Sequence, residues 1–417
     1  MCKKGLRRII KTGLQNQVEK NQEDIPAKKP NKSSRQKVAG ASELKNVHSK
    51  QFLDKNYLLN AIGEMLSASH LNSIVEKSTE IIDHLVAANG EDLLLRGDPD
   101  ESQVLRKKTL VSQLLQIRES LTIERSKYYA LRLKKSITQV KTSKINDINL
   151  NLWKEYDDIL TDSLWVFDKR DNSGSHNAGY WGNFIPQIPN QFIRRYTKKN
   201  EWVLDPFLGS GTTLMECKRL GRNGVGIELS PGVADIAKTN IDRDGTKNGN
   251  RADILVGDSG NPDVIPEIKG RGINSVQMII MHPPYWDIIK FSKDRKDLSD
   301  AESVESFLQM FGDIVENTGR LLDRGRYLVL VIGDKYAGGE WIPLGFYAMN
   351  EVMKRGYGLK SIVVKNFNIT KGKRVQEDLW RYRALVGGFY VFKHEYIFLF
   401  QKEFHKARKN SSSLKTR

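Results

Sequence analysis

Two short runs hold residues whose types and spacing could do chemistry together. The first is Trp202-Val-Leu-Asp-Pro-Phe-Leu-Gly-Ser-Gly-Thr-Thr213, and the second, further along, is Met281-His-Pro-Pro-Tyr-Trp286. In the first, an apolar strand runs into Asp205 and a turn at Gly209 and Gly211, where the missing side chains let a ligand approach the backbone closely. The helix opening at Thr212 then offers unpaired N–H groups to a carboxylate. In the second, the apolar stretch Val276 to Met281 ends in a Pro-Pro-aromatic corner. Its stiff backbone can hold a carbonyl and an aromatic face in fixed positions. Such a corner suits a planar ring bearing an amino group.

Together the runs resemble the cofactor and catalytic motifs of the S-adenosylmethionine-dependent DNA amino-methyltransferases, which modify N6 of adenine or N4 of cytosine. The resemblance extends over residues 176–402. Phe184-Ile-Pro-Gln-Ile-Pro189 is similar to the segment that closes over the methionine end of the cofactor. Gly224-Val-Gly-Ile-Glu228, Val256-Gly-Asp-Ser259 and His394-Glu-Tyr-Ile-Phe-Leu-Phe400 are similar to the family's second, third and last strands. One position departs from the pattern: His282 stands where the family usually has Asp, Asn or Ser.

The resemblance implies a cofactor site of Phe184, Ile185, Pro186, Asp205, Pro206, Phe207, Gly209, Ser210, Gly211, Thr212, Thr213, Glu228, Leu229, Asp258 and Ser259. Glu228 suits a bidentate grip on two ribose hydroxyls, Asp258 can accept from the adenine amino group, and Asp205 would lie under the methionine amino group and the sulfonium. It also implies a catalytic corner of His282, Pro283, Pro284 and Tyr285. An exocyclic amino nitrogen is a poor nucleophile because its lone pair is delocalised into the ring. Acceptors on the His282 side chain and the Pro283 carbonyl would draw it towards tetrahedral geometry, with Tyr285 stacking on a base rotated out of the duplex. In-line transfer would then rest on positioning and electrostatics. Only a neutral imidazole has an acceptor nitrogen, so turnover should fall as His282 protonates, below about 6.5 if the pocket desolvates it.

Other chemistries fit less well. Leu214 falls where a dinucleotide fold needs its third glycine, and no Lys follows the glycines as a phosphate loop requires. Methylation at cytosine C5 needs a cysteine nucleophile, yet Cys217 lies in a predicted helix without a Pro-Cys context. With Cys2 the only other cysteine, neither a disulfide framework nor a cysteine-rich zinc site is expected.

The elements that must position these residues alternate. Strands are predicted at 202–205, 223–228, 253–256, 276–281, 326–332, 360–365 and 395–401, and helices at 212–220, 232–241, 303–322 and 342–355. The expected class is α/β: a Rossmann-like methyltransferase fold with a mostly parallel seven-stranded sheet, an antiparallel last strand and an N-terminal helical accessory region. Asp205, Glu228, Asp258 and His282 all fall at the carboxyl ends of strands, where such sheets bind ligands.

Residues 1–45 read as a mobile basic arm, 46–150 as an all-helical accessory region for recognition or oligomerisation, 151–402 as the methyltransferase domain and 403–417 as a basic tail. A net charge of +17 points to a polyanionic partner, which the resemblance implies is double-stranded DNA. Lys290, Lys293 and Arg295 in a mobile loop, and Lys373, Arg374, Arg381 and Arg383 in a second basic loop, are the expected DNA contacts. The cluster from Arg125 to Lys135 suits either solvent or DNA. Too few residues separate the two motifs for a target-recognition domain, which leaves the helical region, the 366–393 loop or a partner subunit for that task.

No run is long and apolar enough for a signal peptide or a membrane span, so a cytoplasmic protein of bacterial, archaeal or phage origin is expected. A companion restriction endonuclease or specificity subunit, and either a monomer or a homodimer, fit this setting. The activity expected is methylation of an exocyclic amino group in DNA, with cytosine N4 preferred on the Phe184–Pro189 segment and Trp286, and adenine N6 as the alternative. An RNA or protein amide N-methyltransferase and a non-catalytic DNA-binding relative are the readings from other classes.

Overall fold

The computed structural model describes residues 51–87, 92–96, 102–176, 180, 182–245, 249–366 and 377–403. The basic arm, residues 404–417 of the tail, Lys373 and Arg374 lie outside them. The accessory region begins with β1 (Gln51–Asp54), α1 (Lys55–Ser67) and α2 (Leu71–Ala87), and continues through β2 (Asp92–Arg96), β3 (Ser102–Arg106), α3 (Lys107–Arg118) and α4 (Ile123–Thr138). Asp54 starts α1 by accepting from the backbone N–H groups of Asn56 and Tyr57, and Thr122 starts α4 by accepting from Arg125. The apolar stripes of the sequence meet in one core, with Leu58, Ile62, Ile74, Ile81, Leu114, Ile117 and Leu133 all buried. The three strands correct the expectation of an all-helical region. β2 pairs parallel with β1 and antiparallel with β3. Runs this short, butted against helices, carry no period of their own.

The connector after α4 is tied to the chain beyond it: Asn146 donates to the Arg195 carbonyl at 2.6 Å and Arg222 donates to Asp147 at 3.0 Å. Next come β4 (Leu164–Trp165), α5 (Gln187–Tyr196), β5 (Trp202–Asp205), α6 (Thr212–Arg219), β6 (Asn223–Glu228), α7 (Pro231–Arg243), β7 (Ala252–Val256), α8 (Val264–Gly270) and β8 (Val276–Met281). They are followed by α9 (Val304–Gly319), β9 (Leu322–Ile332), the hairpin β10 (Lys335–Ala337) and β11 (Glu340–Ile342), α10 (Leu344–Lys354), β12 (Tyr357–Asn366), α11 (Glu377–Gly387) and β13 (His394–Lys402).

Eight strands form one sheet in the order β4-β12-β13-β9-β8-β5-β6-β7. The ladders from β9 through β7 are parallel, and β13 runs antiparallel to both of its neighbours. This is the Rossmann-like methyltransferase sheet expected from the strand pattern, extended by β4 at one edge. Its central strands are buried on both faces, which explains their nearly continuous apolar runs. One face packs Leu204, Ile279, Met281 and Leu330 against Phe307 and Phe311 of α9. The other packs Val203, Met278, Ile280 and Val329 against Ile188 and Phe192 of α5 and Cys217 of α6. The part of the expected 366–393 loop that is described contains helix α11. No helix among the described residues is long and apolar enough to cross a membrane.

Candidate active site

The glycine turn leaves β5 at Asp205, which is only 1% exposed and accepts from the Phe207 N–H at 2.9 Å. Gly209 and Gly211 have φ of 52° and 90°, a left-handed backbone that costs glycine little. A methyl group on Gly211 would also press on Ile241 of α7 at 3.1 Å. Glu228, at the end of β6, braces the turn: one carboxylate oxygen accepts from Gly209 at 2.9 Å and the other from Ser230 at 3.0 Å. Each oxygen keeps a lone pair for a ligand hydroxyl. From the end of β7, Asp258 accepts from the Gly260 N–H at 2.8 Å, while Ser259 donates to the Pro206 carbonyl at 2.6 Å.

Burial raises the Glu228 carboxyl above its ordinary value and pushes that of Asp205 up to about 6. Two carboxyls made reluctant to ionise, beside a turn built for close approach, suit a cationic ligand that also carries hydroxyls. The Thr212 hydroxyl and the Asn183 amide nitrogen are buried at this turn without a hydrogen-bond partner among the described residues. Unpaired buried groups of this kind are costly unless a ligand completes them.

Phe184 reaches the site because the segment before α5 is pinned in place. Arg170 donates to the Phe184 carbonyl at 2.8 Å. Buried Glu216 on α6 binds His176 and Asn190, each at 2.7 Å. Two residues absent from the sequence-based site join through this segment. Asn183 accepts from the Ser210 hydroxyl at 2.8 Å. Tyr180 lies so close to Gly209 that a Cβ there would be 3.3 Å from its ring, and it stacks on Phe291 with centroids 6.3 Å apart. Burial pushes the Tyr180 hydroxyl up to about 12. Neither residue belongs to a recognisable pattern, so only the folded segment reveals them.

The Pro-Pro-Tyr corner follows β8, next to β5 in the sheet. The His282 ring packs on Phe184 with centroids 4.9 Å apart, which brings the corner to the segment covering the glycine turn. His282 Nε2 lies 3.2 Å from the Tyr285 hydroxyl, which donates to Glu395 of β13 at 2.7 Å. Glu395 in turn accepts from Lys365 of β12 at 2.9 Å, and both charged side chains are buried. Burial drives the His282 imidazole down to about 4, the Lys365 charge adding to the effect and Glu395 opposing it. At neutral pH the ring is therefore uncharged and retains an acceptor nitrogen. Burial and Glu395 raise the Tyr285 hydroxyl well above its usual range. Gly333 makes room for Tyr285, since a Cβ there would meet its ring at 2.9 Å.

Lys365 and Glu395 were not anticipated as site residues, yet the signal was present: a charge inside each of two apolar strand runs must find a partner. Trp286 is held as a wall, its indole donating to the Ala301 carbonyl at 2.8 Å while Lys335 sits 3.7 Å from the ring centroid. Buried Cys217 lies inside α6 with its thiol pKa raised by burial.

Lys290 is paired with Asp300 at 2.8 Å. The segment around it is folded on itself, with Ser292 donating to Asp297 at 2.7 Å and the Phe291 N–H donating to Ser299 at 3.0 Å. Lys293, Arg295, Arg381 and Arg383 are exposed.

A family described as DNA methylase matches residues 15–239, more than half of the 417-residue chain. The chain belongs to this family. The match takes in the glycine turn and Glu228 and stops short of His282. Among relatives, the chain is 41% identical over 64 residues to the Type II methyltransferase M.MjaII of Methanocaldococcus jannaschii, covering 15% of this chain and 12% of that one. It is 34% identical over 104 residues to the Type II methyltransferase M2.LlaDCHI of Lactococcus lactis subsp. cremoris, covering 24% and 37%. The chain thus spans from about an eighth to little over a third of the length of these Type II methyltransferases. A solved methyltransferase from Pyrococcus furiosus aligns at 16% identity with a TM-score of 0.34, covering 55% of this chain and 88% of that one.

Proposed function

We propose that this protein transfers a methyl group from S-adenosylmethionine to an exocyclic amino group of a base flipped out of duplex DNA, with cytosine N4 as the acceptor atom. The observation that carries the proposal is the meeting of the two halves of the site. The turn braced by Glu228 and the corner bearing His282 leave adjacent parallel strands at their carboxyl ends, and Phe184 packs against His282.

The residues fit the cofactor by their chemistry. Glu228 would take the ribose hydroxyls and Asp258 the adenine amino group. Asp205 would face the cationic end, and Thr212 and Asn183 offer polar atoms that lack partners among the described residues. S-adenosylmethionine would supply an electrophilic methyl to the amino nitrogen, sulfur keeping the electron pair of the broken S–C bond and solvent taking the proton that the nitrogen sheds. Neutral His282 and the Pro283 carbonyl would accept from the amino group and localise its lone pair, with Tyr285 beside the base. The Phe184–Pro189 segment and Trp286 favour cytosine.

Incubating the purified chain with S-adenosylmethionine labelled in its methyl group, and separately with duplex DNA, RNA and unmodified protein, should transfer label to the duplex alone. Label in RNA or protein instead would overturn the proposal.

Two further outcomes are expected. Glu228→Ala removes a charged acceptor and the brace on Gly209, so calorimetry should show S-adenosylmethionine affinity about tenfold to a hundredfold weaker with duplex binding retained. Unchanged affinity would remove Glu228 from the site. Replacing Lys293 and Arg295 by alanine should flatten the dependence of DNA binding on salt by about one unit of slope for each phosphate that is no longer neutralised. An unchanged slope would place the DNA elsewhere.

A further inference from the structure

Lys365, Glu395, Tyr285 and His282 form a continuous chain of hydrogen bonds that ends at the catalytic corner. A phenol has one proton to donate, and Tyr285 spends it on Glu395, whose carboxylate is held by the Lys365 ammonium. The Tyr285 oxygen can then only accept from the nitrogen 3.2 Å away, which must be the protonated one. We infer that Lys365 and Glu395 are positioning residues that act through the Tyr285 hydroxyl to fix His282 in the tautomer protonated at Nε2, leaving Nδ1 as the acceptor for the target amino group. The inference rests on the function proposed above and deepens it, since it explains how a histidine can stand where a carboxamide or hydroxyl acceptor usually does. An Asn carries a permanent acceptor. A histidine has one only in the right tautomer, and the other would present an N–H to a group that must itself donate.

Glu395→Gln makes the test sharp. Lys365 demands an acceptor, so the introduced amide should turn its oxygen towards Lys365 and its NH2 towards Tyr285. The Tyr285 hydroxyl must then accept from that amide and donate to His282 Nε2, which drives the ring to the Nδ1-protonated form. The full chain labelled with nitrogen-15 at its seven histidines would be read by long-range proton–nitrogen correlation, with His282→Asn assigning the signal. The expected pattern is Nε2–H in the parent and Nδ1–H in Glu395→Gln, with kcat about tenfold to a hundredfold lower and S-adenosylmethionine affinity unchanged. In a His282→Asn background, Glu395→Gln should cost almost nothing.

If Glu395→Gln does not fold, Tyr285→Phe carries the test, because loss of the oxygen should leave His282 populating both tautomers. An Nδ1–H signal in the parent, or an Nε2–H signal that survives both substitutions unchanged, would overturn the inference. The tautomer is read without substrate. A tautomer response without transfer to DNA therefore supports the hydrogen-bond chain and overturns the proposed function, whereas transfer without a tautomer response does the reverse.

Discussion

His282→Ala should lower methyl transfer by about a hundredfold to a thousandfold while leaving S-adenosylmethionine affinity within twofold or so of the parent, the scale seen when one preorganised hydrogen-bonding group is removed. The affinity holds because His282 sits in the corner after β8, whereas Glu228, Asp258 and the glycine turn belong to β5, β6 and β7. His282→Asn keeps an acceptor and should retain most of the turnover. The pH profile separates the two roles the histidine could have. With its imidazole driven down to about 4, His282 remains neutral through the physiological range. Parent turnover should be flat in this group down to about pH 5 and fall as pH drops through about 4, because the acceptor is lost on protonation. His282→Asn should lack that acid limb. Undiminished transfer by the alanine variant would reduce His282 to a turn residue and leave the Pro283 carbonyl as the acceptor.

Asp205→Asn should move stability and binding in opposite directions. The Asp205 carboxyl rises from 3.8 to about 6 on burial, so the fold holds its proton more tightly than the unfolded chain does. Its contribution is therefore fully favourable below about pH 4 and is lost as pH rises through about 6, at a cost of about 3 kcal/mol at most by pH 7. Asparagine avoids that cost and still accepts from the Phe207 N–H. Calorimetry at pH 7.5 without ligand should show a higher Tm for the variant, and the difference should vanish near pH 4. Affinity for S-adenosylmethionine should nonetheless fall by tenfold to a hundredfold or so, because the charge proposed to face the cationic ligand is gone. A variant that is less stable at neutral pH and binds the ligand normally would make Asp205 a turn-capping residue only.

Much of the fold was legible because the sheet is parallel. Strands buried on both faces announce themselves as apolar runs, and Val276–Met281 ends where the structure ends it. The glycine turn was equally plain, since its two glycines sit between a strand and a helix. Longer-range features were not. Lys365 and Glu395 are directly opposed across the antiparallel ladder of β12 and β13, a register that no local pattern specifies. Tyr180 is revealed by the fold alone, which sets its ring beside Gly209 and Phe291. The hairpin of β10 and β11 could have been read from Gly338-Gly339, both with positive φ, but its strands are three residues each. Helix α11 was hidden because Glu377–Gly387 mixes Arg and aromatic residues and resembles a nucleic-acid-binding loop more than an amphipathic helix.

The proposed methylation of an exocyclic amino nitrogen in DNA is tested most directly by the nucleoside content of DNA that the chain has acted on. DNA from cells lacking their own amino-methylases, and expressing either the parent chain or His282→Ala, would be digested to nucleosides and analysed by mass. The parent should yield N4-methylcytosine, and the variant should yield almost none. N6-methyladenine in its place would keep the mechanism and change the base, whereas neither nucleoside from an abundantly expressed, folded parent chain would contradict the account.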